Sequence, residues 1–321
     1  MKRELLNFIV CPETHEKLVL MNEVEENGEI VSGELISTKS KKKYKIDGGV
    51  PDLVPSFSQS TDSVEGFGFE WTHKTLAPVV GEYRVDLDLY KKEIGWKYID
   101  FNGKKVLEVG CGMGRLSPIF LKENIVLFSL DLSISIYEAY KRLGNLPNVH
   151  FIRADMAHTP FVDDFFDIVI ATGVLQHTKK PQETIIHLGN LLKPSGYLIG
   201  GIYMIPEKFL TYLKVRIIDV LRFIFKFFPP RFVYHWSYLS VLCFHRVKFL
   251  YPIGRIFFLQ HPFGGGDERA TWLLNHDQYI SGSYQYKYTR QKTLDMFRKA
   301  GLTAIRETVF WDNSYVFKKI I

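Results

Sequence analysis

Apolar and polar positions fall into distinct textures along the chain. Residues 1–57 hold short apolar runs, LLNFIV, KLVL, GELIS and YKI, broken by the turn signals Asn27-Gly28 and Asp47-Gly48-Gly49. That pattern predicts a small β-rich module closed by Val50-Pro51. A linker, SFSQSTDS, leads into residues 58–100, which continue through GFGFEWTH and GEYRVDLDLYKKEIGWKYI, whose apolar positions suit one or two helices. From residue 101 to 204 the texture changes: KVLEVG, a helix over about 114–123, IVLFSLD, a helix over 136–142, VHFIRAD, FDIVIAT, a helix over about 182–192, and YLIGGIY. Strands separated by helices of this length require parallel crossovers, so an α/β, doubly wound sheet is expected. Residues 288–321 read as a helix (TRQKTLDMFRKAG) and two strands (TAIRETVF, YVFKKI) that complete it.

Residues 205–287 interrupt this alternation, which in an open α/β sheet places an insertion beside the carboxyl edge where ligands bind. In VRIIDVLRFIFKFF the polar residues Arg216, Asp219, Arg222 and Lys226 form one narrow stripe opposite a wide apolar face. A lid packed on the sheet edge is one reading of that face; docking on a lipid surface, or holding a lipid-linked acceptor, is the other. Charge sharpens the picture. The chain carries 41 basic and 35 acidic residues, and residues 205–260 alone hold nine basic residues against Glu207 and Asp219. The net +6 therefore belongs to one aromatic, apolar insertion, which shifts weight away from a surface that coats nucleic acid and toward an anionic, partly greasy partner.

Composition excludes several classes. With 321 residues, 46% of them apolar, the chain can bury a large core and is neither disordered nor collagenous. Its three cysteines, Cys11, Cys111 and Cys243, are too scattered for a disulfide framework or a four-ligand zinc site. The N-terminal segment lacks a secretory h-region and no run of 18 uncharged apolar residues occurs, so the expected location is the cytoplasm, with peripheral membrane contact through 205–260 left open.

The strongest local signal is Val106-Leu107-Glu108-Val109-Gly110-Cys111-Gly112-Met113-Gly114-Arg115. A strand ends in three glycines at alternate positions, which lets a ligand approach backbone atoms. A dinucleotide fingerprint would need its third glycine at Arg115, and a P-loop would need a lysine, so neither pattern is met. Asp131, 21 residues past Gly110 at the end of the next strand, can accept both hydrogen bonds of a ribose diol. Asp155 and Met156 end the third strand, where an acid and an apolar side chain could hold an adenine amine and ring face.

These residues resemble the class I S-adenosylmethionine-dependent methyltransferases. The resemblance runs through Glu108 to Gly114, the LDLS turn at Asp131, RADMAHTPFVDDFFDIVIATGVLQHT and LLKPSGYLIGGIY, and the closing TLDMFRKAGLTAIRE looks like the end of such domains. It implies a Rossmann-like, seven-stranded sheet with its last strand antiparallel, and S-adenosylmethionine as cofactor. It also implies cofactor contacts from Glu108, Gly110, Cys111, Gly112, Gly114, Asp131, Leu132, Asp155, Met156 and Gly173, with the glycine loop near the methionine part, Asp131 on the ribose and Asp155 near the adenine.

Residues 4–55 resemble the small zinc-binding domain fused ahead of some bacterial methyltransferases and, as a separate subunit, activating others. Cys11-Pro12 keeps the first cysteine of that pattern, while Thr14, Ser37 and Ser40 stand at the other three positions. One thiolate, even with His15 beside it, cannot make a tetrahedral site, so no metal is expected. Lysines 39, 41, 42, 43 and 45 are read as a solvated hairpin facing Glu23, Glu25, Glu26 and Glu29, ahead of a phosphate contact. GFGFEWT is similar to the FG-aromatic-QW segment of the fused proteins, with Trp71 a core or interface aromatic.

Methyl transfer is an in-line displacement for which the enzyme supplies alignment and, for a hydroxyl acceptor, a base. His177 in GVLQH is the candidate catalytic residue. His276, Asp277 and the Tyr279–Tyr288 stretch form a second group, in which Asp277, Tyr279, Tyr284 and Thr289 fit a D-x-Y…Y-x-x-x-H-T pattern of the fused relatives but Tyr288 replaces its histidine. The favoured reading is methyl transfer to the oxygen or nitrogen of a small-molecule, saccharide or lipid-linked acceptor. An RNA methyltransferase is the second reading, and a non-catalytic cofactor-binding partner protein the third; oligomeric state is left open.

Overall fold

Alternation of large aliphatic and aromatic residues along each strand gives the sheet two buried faces. The computed structural model describes residues 1–58, 62–73, 99–244, 247–250, 253, 272, 276–280, 284–308 and 314–320. Two compact units divide the chain: residues 1–59, 85–204 and 286–321 form the first, and 60–84 with 205–285 the second.

The first unit begins with an antiparallel sheet of β1 (Leu18–Glu26), β2 (Glu29–Ser37), β3 (Lys43–Asp47) and β4 (Val50–Pro51) in the order β1-β2-β3-β4. Asn27 and Gly28, both at positive φ, make the tight turn between β1 and β2. The second sheet contains β5 (Lys104–Val109), β6 (Ile125–Asp131), β7 (Val149–Arg153), β8 (Phe166–Ala171), β9 (Leu192–Gly201), β12 (Leu302–Glu307) and β13 (Ser314–Lys319), with the short pair β10 (Tyr203–Met204) and β11 (Lys287–Tyr288) beside it. Its order is β12-β13-β9-β8-β5-β6-β7. β13 runs antiparallel to both neighbours, and the β5–β9 ladders are parallel. This is the seven-stranded arrangement expected, with the last strand reversed.

Helices α2 (Ser117–Phe120), α3 (Ile136–Leu143), α4 (Pro181–Asn190) and α7 (Arg290–Lys299) cross over between strands or close the sheet. α2 is a single turn, shorter than the 114–123 expected. Gly110, Gly112 and Gly114 all hold positive φ, so the chain is still turning at 114, and a new strand starts at Ile125. On one sheet face Leu107, Phe128, Ile152, Val169 and Phe317 pack with α4 and α7; on the other Val106, Leu127, Phe151, Ile168 and Val316 pack with Ile119, Ile136 and Ala139. Leu5, Ile9, Leu35, Tyr44, Ile46 and Leu53 of the N-terminal module belong to the first of these clusters, so module and sheet share one core. Asp52 extends the β7 edge by a parallel bridge to Arg153, and Leu53 N donates to Arg153 O at 2.8 Å.

The second unit is helical: α1 (Asp62–Thr72), α5 (Phe209–Phe225) and α6 (Pro230–Phe244). Its core gathers Ile218, Phe225, Val233, Tyr279 and Ile280.

Candidate functional site

The turn after β5 is built so that only glycine fits at its start. Gly110 holds φ +68°, and a Cβ there would lie 2.3 Å from Val174 Cγ1. The amides of Gly110 and Cys111 both donate to Leu130 O, at 2.8 and 3.1 Å, which ties the turn to the end of β6. Gly112 N donates to Asp131 Oδ2 at 2.8 Å, while Asp131 Oδ1 accepts from Ser133 N and Ser133 Oγ at 2.8 and 2.7 Å. Protein packed round Asp131 raises its pKa despite these hydrogen bonds, although part of the side chain remains open at the sheet edge. Behind the loop, Glu108 is buried and accepts from Ser117 Oγ at 2.6 Å and Ser129 Oγ at 2.9 Å. Desolvation pushes its pKa up to about 7, against the two serine hydrogen bonds. Cys111 is buried, and desolvation drives its thiol pKa well up, so it is held as the neutral thiol.

At the end of β7, Asp155 and Met156 are half-buried, as is Leu132 after β6. Asp155 Oδ1 accepts from Ala157 N at 2.8 Å and Oδ2 from Ser58 Oγ at 2.7 Å. Phe57 packs edge-on against His158, whose ring nitrogen is 3.6 Å from Asp155. Arg153 joins the two strand ends: Nη1 donates to Asp52 at 2.7 Å and Nε to Leu132 O at 3.2 Å. Ser58 was not singled out from sequence because only the tertiary fold brings it next to a residue 97 positions away.

Gly173 follows β8 at φ +72° with nothing within 4 Å of a Cβ built there, so the turn borders open space. His177 ends a 3₁₀ turn, Leu175–His177, half-buried, its ring edge-on to Tyr203 at 6.0 Å. Its neighbour Gln176 is fully buried with neither side-chain amide atom hydrogen-bonded. An unpartnered buried amide costs free energy, which makes Gln176 a residue of interest that the sequence reading missed. Tyr286 N donates to Gln176 O at 3.0 Å, and the Tyr286 and Tyr288 rings stack at 5.9 Å.

Residues 107–200 match the model of a methyltransferase domain, and residues 2–49 that of a Trm112p-like protein. The chain carries a methyltransferase domain behind a Trm112p-like module. A malonyl-[acyl-carrier protein] O-methyltransferase of Halalkalibacterium halodurans is 34% identical over 102 residues, 30% of this chain and 38% of that one. A tRNA U34 carboxymethyltransferase of Desulfotalea psychrophila is 26% identical over 61% of this chain and 62% of its own length. A ubiquinone biosynthesis O-methyltransferase of Coxiella burnetii is 31% identical over 36% of this chain and 52% of its own. The chain thus spans about four- to six-tenths of the length of these relatives.

S-adenosylmethionine is the cofactor of the methyltransferase domain, and the donor set fits it. A turn with glycine at 110, 112 and 114, a carboxylate tied to that turn, a second carboxylate beside an apolar Met156, and an open turn at Gly173 lie at successive carboxyl ends of β5, β6, β7 and β8.

In the Trm112p-like module the positions of Cys11, Ser37 and Ser40 carry a polar network. Cys11 Sγ lies 3.3 Å from Tyr44 Oη. Ser40 Oγ donates to Ser37 Oγ at 2.8 Å, and Glu16 accepts from Ser37 Oγ and from the amides of Lys39 and Ser40. These hydrogen bonds push the Glu16 pKa down to about 2. Among the described residues no group of three metal-ligating side chains occurs. The hairpin lysines do not pair as expected. Glu23 and Glu25 face Arg3, and Glu29 faces Lys2 and Tyr140, whereas Lys42 pairs with Glu13 and Lys43 lies 3.6 Å from Glu34. Lys42, Lys43, Lys45 and Arg153, with Glu13 and Asp52, line a cleft of about 390 Å³.

The second group of candidate bases is divided between the two units. Tyr279 is buried against Phe225, its pKa raised by desolvation. Thr289 caps α7, accepting from Lys292 N at 3.2 Å. His276 is fully buried in the helical unit with Nδ1 2.5 Å from Glu70 Oε2, and desolvation lowers its pKa to about 4. Glu70, the neighbour of Trp71 in GFGFEWT, therefore has a buried polar partner, which the sequence reading passed over. Arg222 lies on the polar stripe of the helical period yet is buried, donating through Nη1 to Asp219 at 2.8 Å and through Nε to Gln278 O. One long side chain satisfying a carbonyl and a carboxylate outweighs its place in the helical period.

Proposed function

We propose that this chain catalyses methyl transfer from S-adenosylmethionine to the oxygen or nitrogen of a small-molecule, saccharide or lipid-linked acceptor. The observation that carries the reading is the Gly112–Asp131 hydrogen bond, which fixes a ribose-binding carboxylate against the glycine turn. When bound, the cofactor supplies an electrophilic methyl group on a sulfonium. The protein's part is to hold and align. Asp131 accepts the ribose hydroxyls, Asp155 with Met156 takes the adenine, and the turn from Gly110 to Gly114, backed by Glu108 and Cys111, lies against the methionine part. Leu132 and Gly173 complete the wall. His177, after β8, is the proton acceptor where the acceptor is a hydroxyl, its ring steadied by Tyr203. A protein that only binds the cofactor would have no need of such a base.

RNA is the second acceptor class, and the cleft lined by Lys42, Lys43, Lys45 and Arg153 favours it. A tRNA U34 carboxymethyltransferase is among the relatives of this chain. Incubation with methyl-labelled S-adenosylmethionine and, separately, total RNA and a metabolite and lipid extract discriminates the readings. Label in the extract supports the first; label in RNA, lost on Lys45→Glu, supports the second. Label in neither, with unlabelled protein, contradicts catalysis on these classes.

A further inference from the structure

Helix α5 is apolar on two opposite sides. Val215, Ile218 and Phe225 are buried, and Ile218 and Phe225 pack with Val233, Tyr279 and Ile280. Half a turn away, Phe209, Leu213, Val220, Phe223 and Ile224 of the helix and Phe227 of the following turn are 46–73% exposed. At 100° per residue these six occupy a sector roughly 100° wide and about 27 Å long. Scattered exposed apolar side chains are ordinary on a soluble protein, but a continuous aromatic and aliphatic stripe is not.

The charges round the stripe identify its occupant. Arg216 lies within the sector, 63% exposed, and Lys226 Nζ sits 4.1 Å from the centre of the Phe223 ring and 5.0 Å from that of Phe227. With Asp219 set aside, which lies 2.8 Å from Arg222 and 3.9 Å from Arg216, residues 207–231 still hold Lys208, Lys214, Lys226 and Arg231 against Glu207. A second copy of the same face would bring like charges together, and valine, leucine and isoleucine offer nothing to a nucleic acid backbone. No helix among the described residues is long and apolar enough to cross a membrane, so this 17-residue helix could lie on a bilayer without spanning it.

We propose that the outer face of α5 docks the chain on an anionic lipid surface. Phe209, Leu213, Phe223 and Phe227 enter the boundary between headgroups and acyl chains, while Lys208, Arg216 and Lys226 stay at headgroup level. The proposal is independent of the methyl-transfer reading and goes beyond it, because it concerns where the chain works, whatever it methylates.

Co-sedimentation of the full chain with vesicles of phosphatidylcholine alone, and of phosphatidylcholine mixed with phosphatidylglycerol, tests it. Binding is expected to the mixed vesicles and to weaken as salt rises. Phe223→Ser with Phe227→Ser is expected to lower partitioning about tenfold or more, and Arg216→Glu to lower it and reduce the salt dependence. All three positions are exposed, and thermal melts establish that each variant is folded; Phe209→Ser serves in place of any that is not. Absence of binding to the mixed vesicles, or equal binding by folded variants, would overturn the proposal. So would sedimentation velocity showing a dimer that the serine variants dissociate, since the face would then belong to a second copy.

Discussion

Ser58 and Glu108 act on the site through side chains that the cofactor itself need not touch. Ser58 Oγ holds one oxygen of Asp155 while Ala157 N holds the other, which fixes the carboxylate plane. Ser58→Ala removes one charge-assisted hydrogen bond and is expected to weaken S-adenosylhomocysteine binding about five- to tenfold in a calorimetric titration. Unchanged affinity would mean that Asp155 is held without it. Glu108 keeps its proton up to about pH 7 in the folded chain, whereas an unfolded glutamate releases it near pH 4.5. The folded state therefore binds more protons between those values, and the stability this group contributes is lost as pH rises through the window. Glu108→Gln, which keeps the shape and stays neutral, is expected to raise the thermal midpoint at pH 8 and leave it nearly unchanged at pH 4. At this scale the placement of the glycines, Asp131 and Asp155 at strand ends was legible because turn residues after a buried strand announce themselves by spacing. Ser58, Gln176 and the Glu70–His276 pair were not: their meaning lies in contacts or in burial that no local pattern encodes.

At the scale of elements, period and chemistry compete. The strands of the parallel sheet were legible as β-branched runs because burial on both faces leaves them little choice of residue. Helix α2 came out as one turn, since three positive-φ glycines delay its start. In α5 the period places Arg222 with the polar stripe, yet the fold buries it and exposes phenylalanines. A side chain that satisfies Asp219 and a carbonyl belongs inside once both are there. Arg222→Met keeps much of the apolar stem and strands both partners, so a loss of about 1–3 kcal/mol is expected in urea unfolding of the full chain. A loss below a few tenths would show that the pair is solvated. The N-terminal module illustrates the opposite balance. Thr14, Ser37 and Ser40 stand where the resemblance would place cysteines, and its apolar residues lie inside the core they share with the sheet. A carboxylate, Glu16, accepts the Lys39 and Ser40 amides beside two of those positions.

Across the whole molecule, titration links stability to pH through buried groups of opposite sign. His150, His187 and His276 all have pKa values lowered to about 4, mainly by desolvation. Unfolded histidines take up protons below about pH 6.5 and these do not until about 4, so each contributes stability that is lost as pH falls through that range. Three histidines outnumber Glu108 and Asp131, the carboxyls raised by desolvation, and the thermal midpoint is expected to fall on acidification from pH 6.5 to 4.5; a midpoint that rises would contradict these assignments. The architecture as a whole was read from alternation of strand and helix, and the charge map from sequence alone, because both are sums over many residues and tolerate local exceptions. Which of the aromatic insertion's apolar residues stay exposed was not legible, since exposure is a property of the folded surface. The account rests on a cofactor site in which Asp131 is tied to the glycine turn. Calorimetric titration of the full chain with S-adenosylhomocysteine tests it most directly. Saturable one-site binding is predicted, weakened about 10- to 100-fold by Asp131→Ala; no binding by the unaltered protein, or equal affinity in the variant, would contradict it.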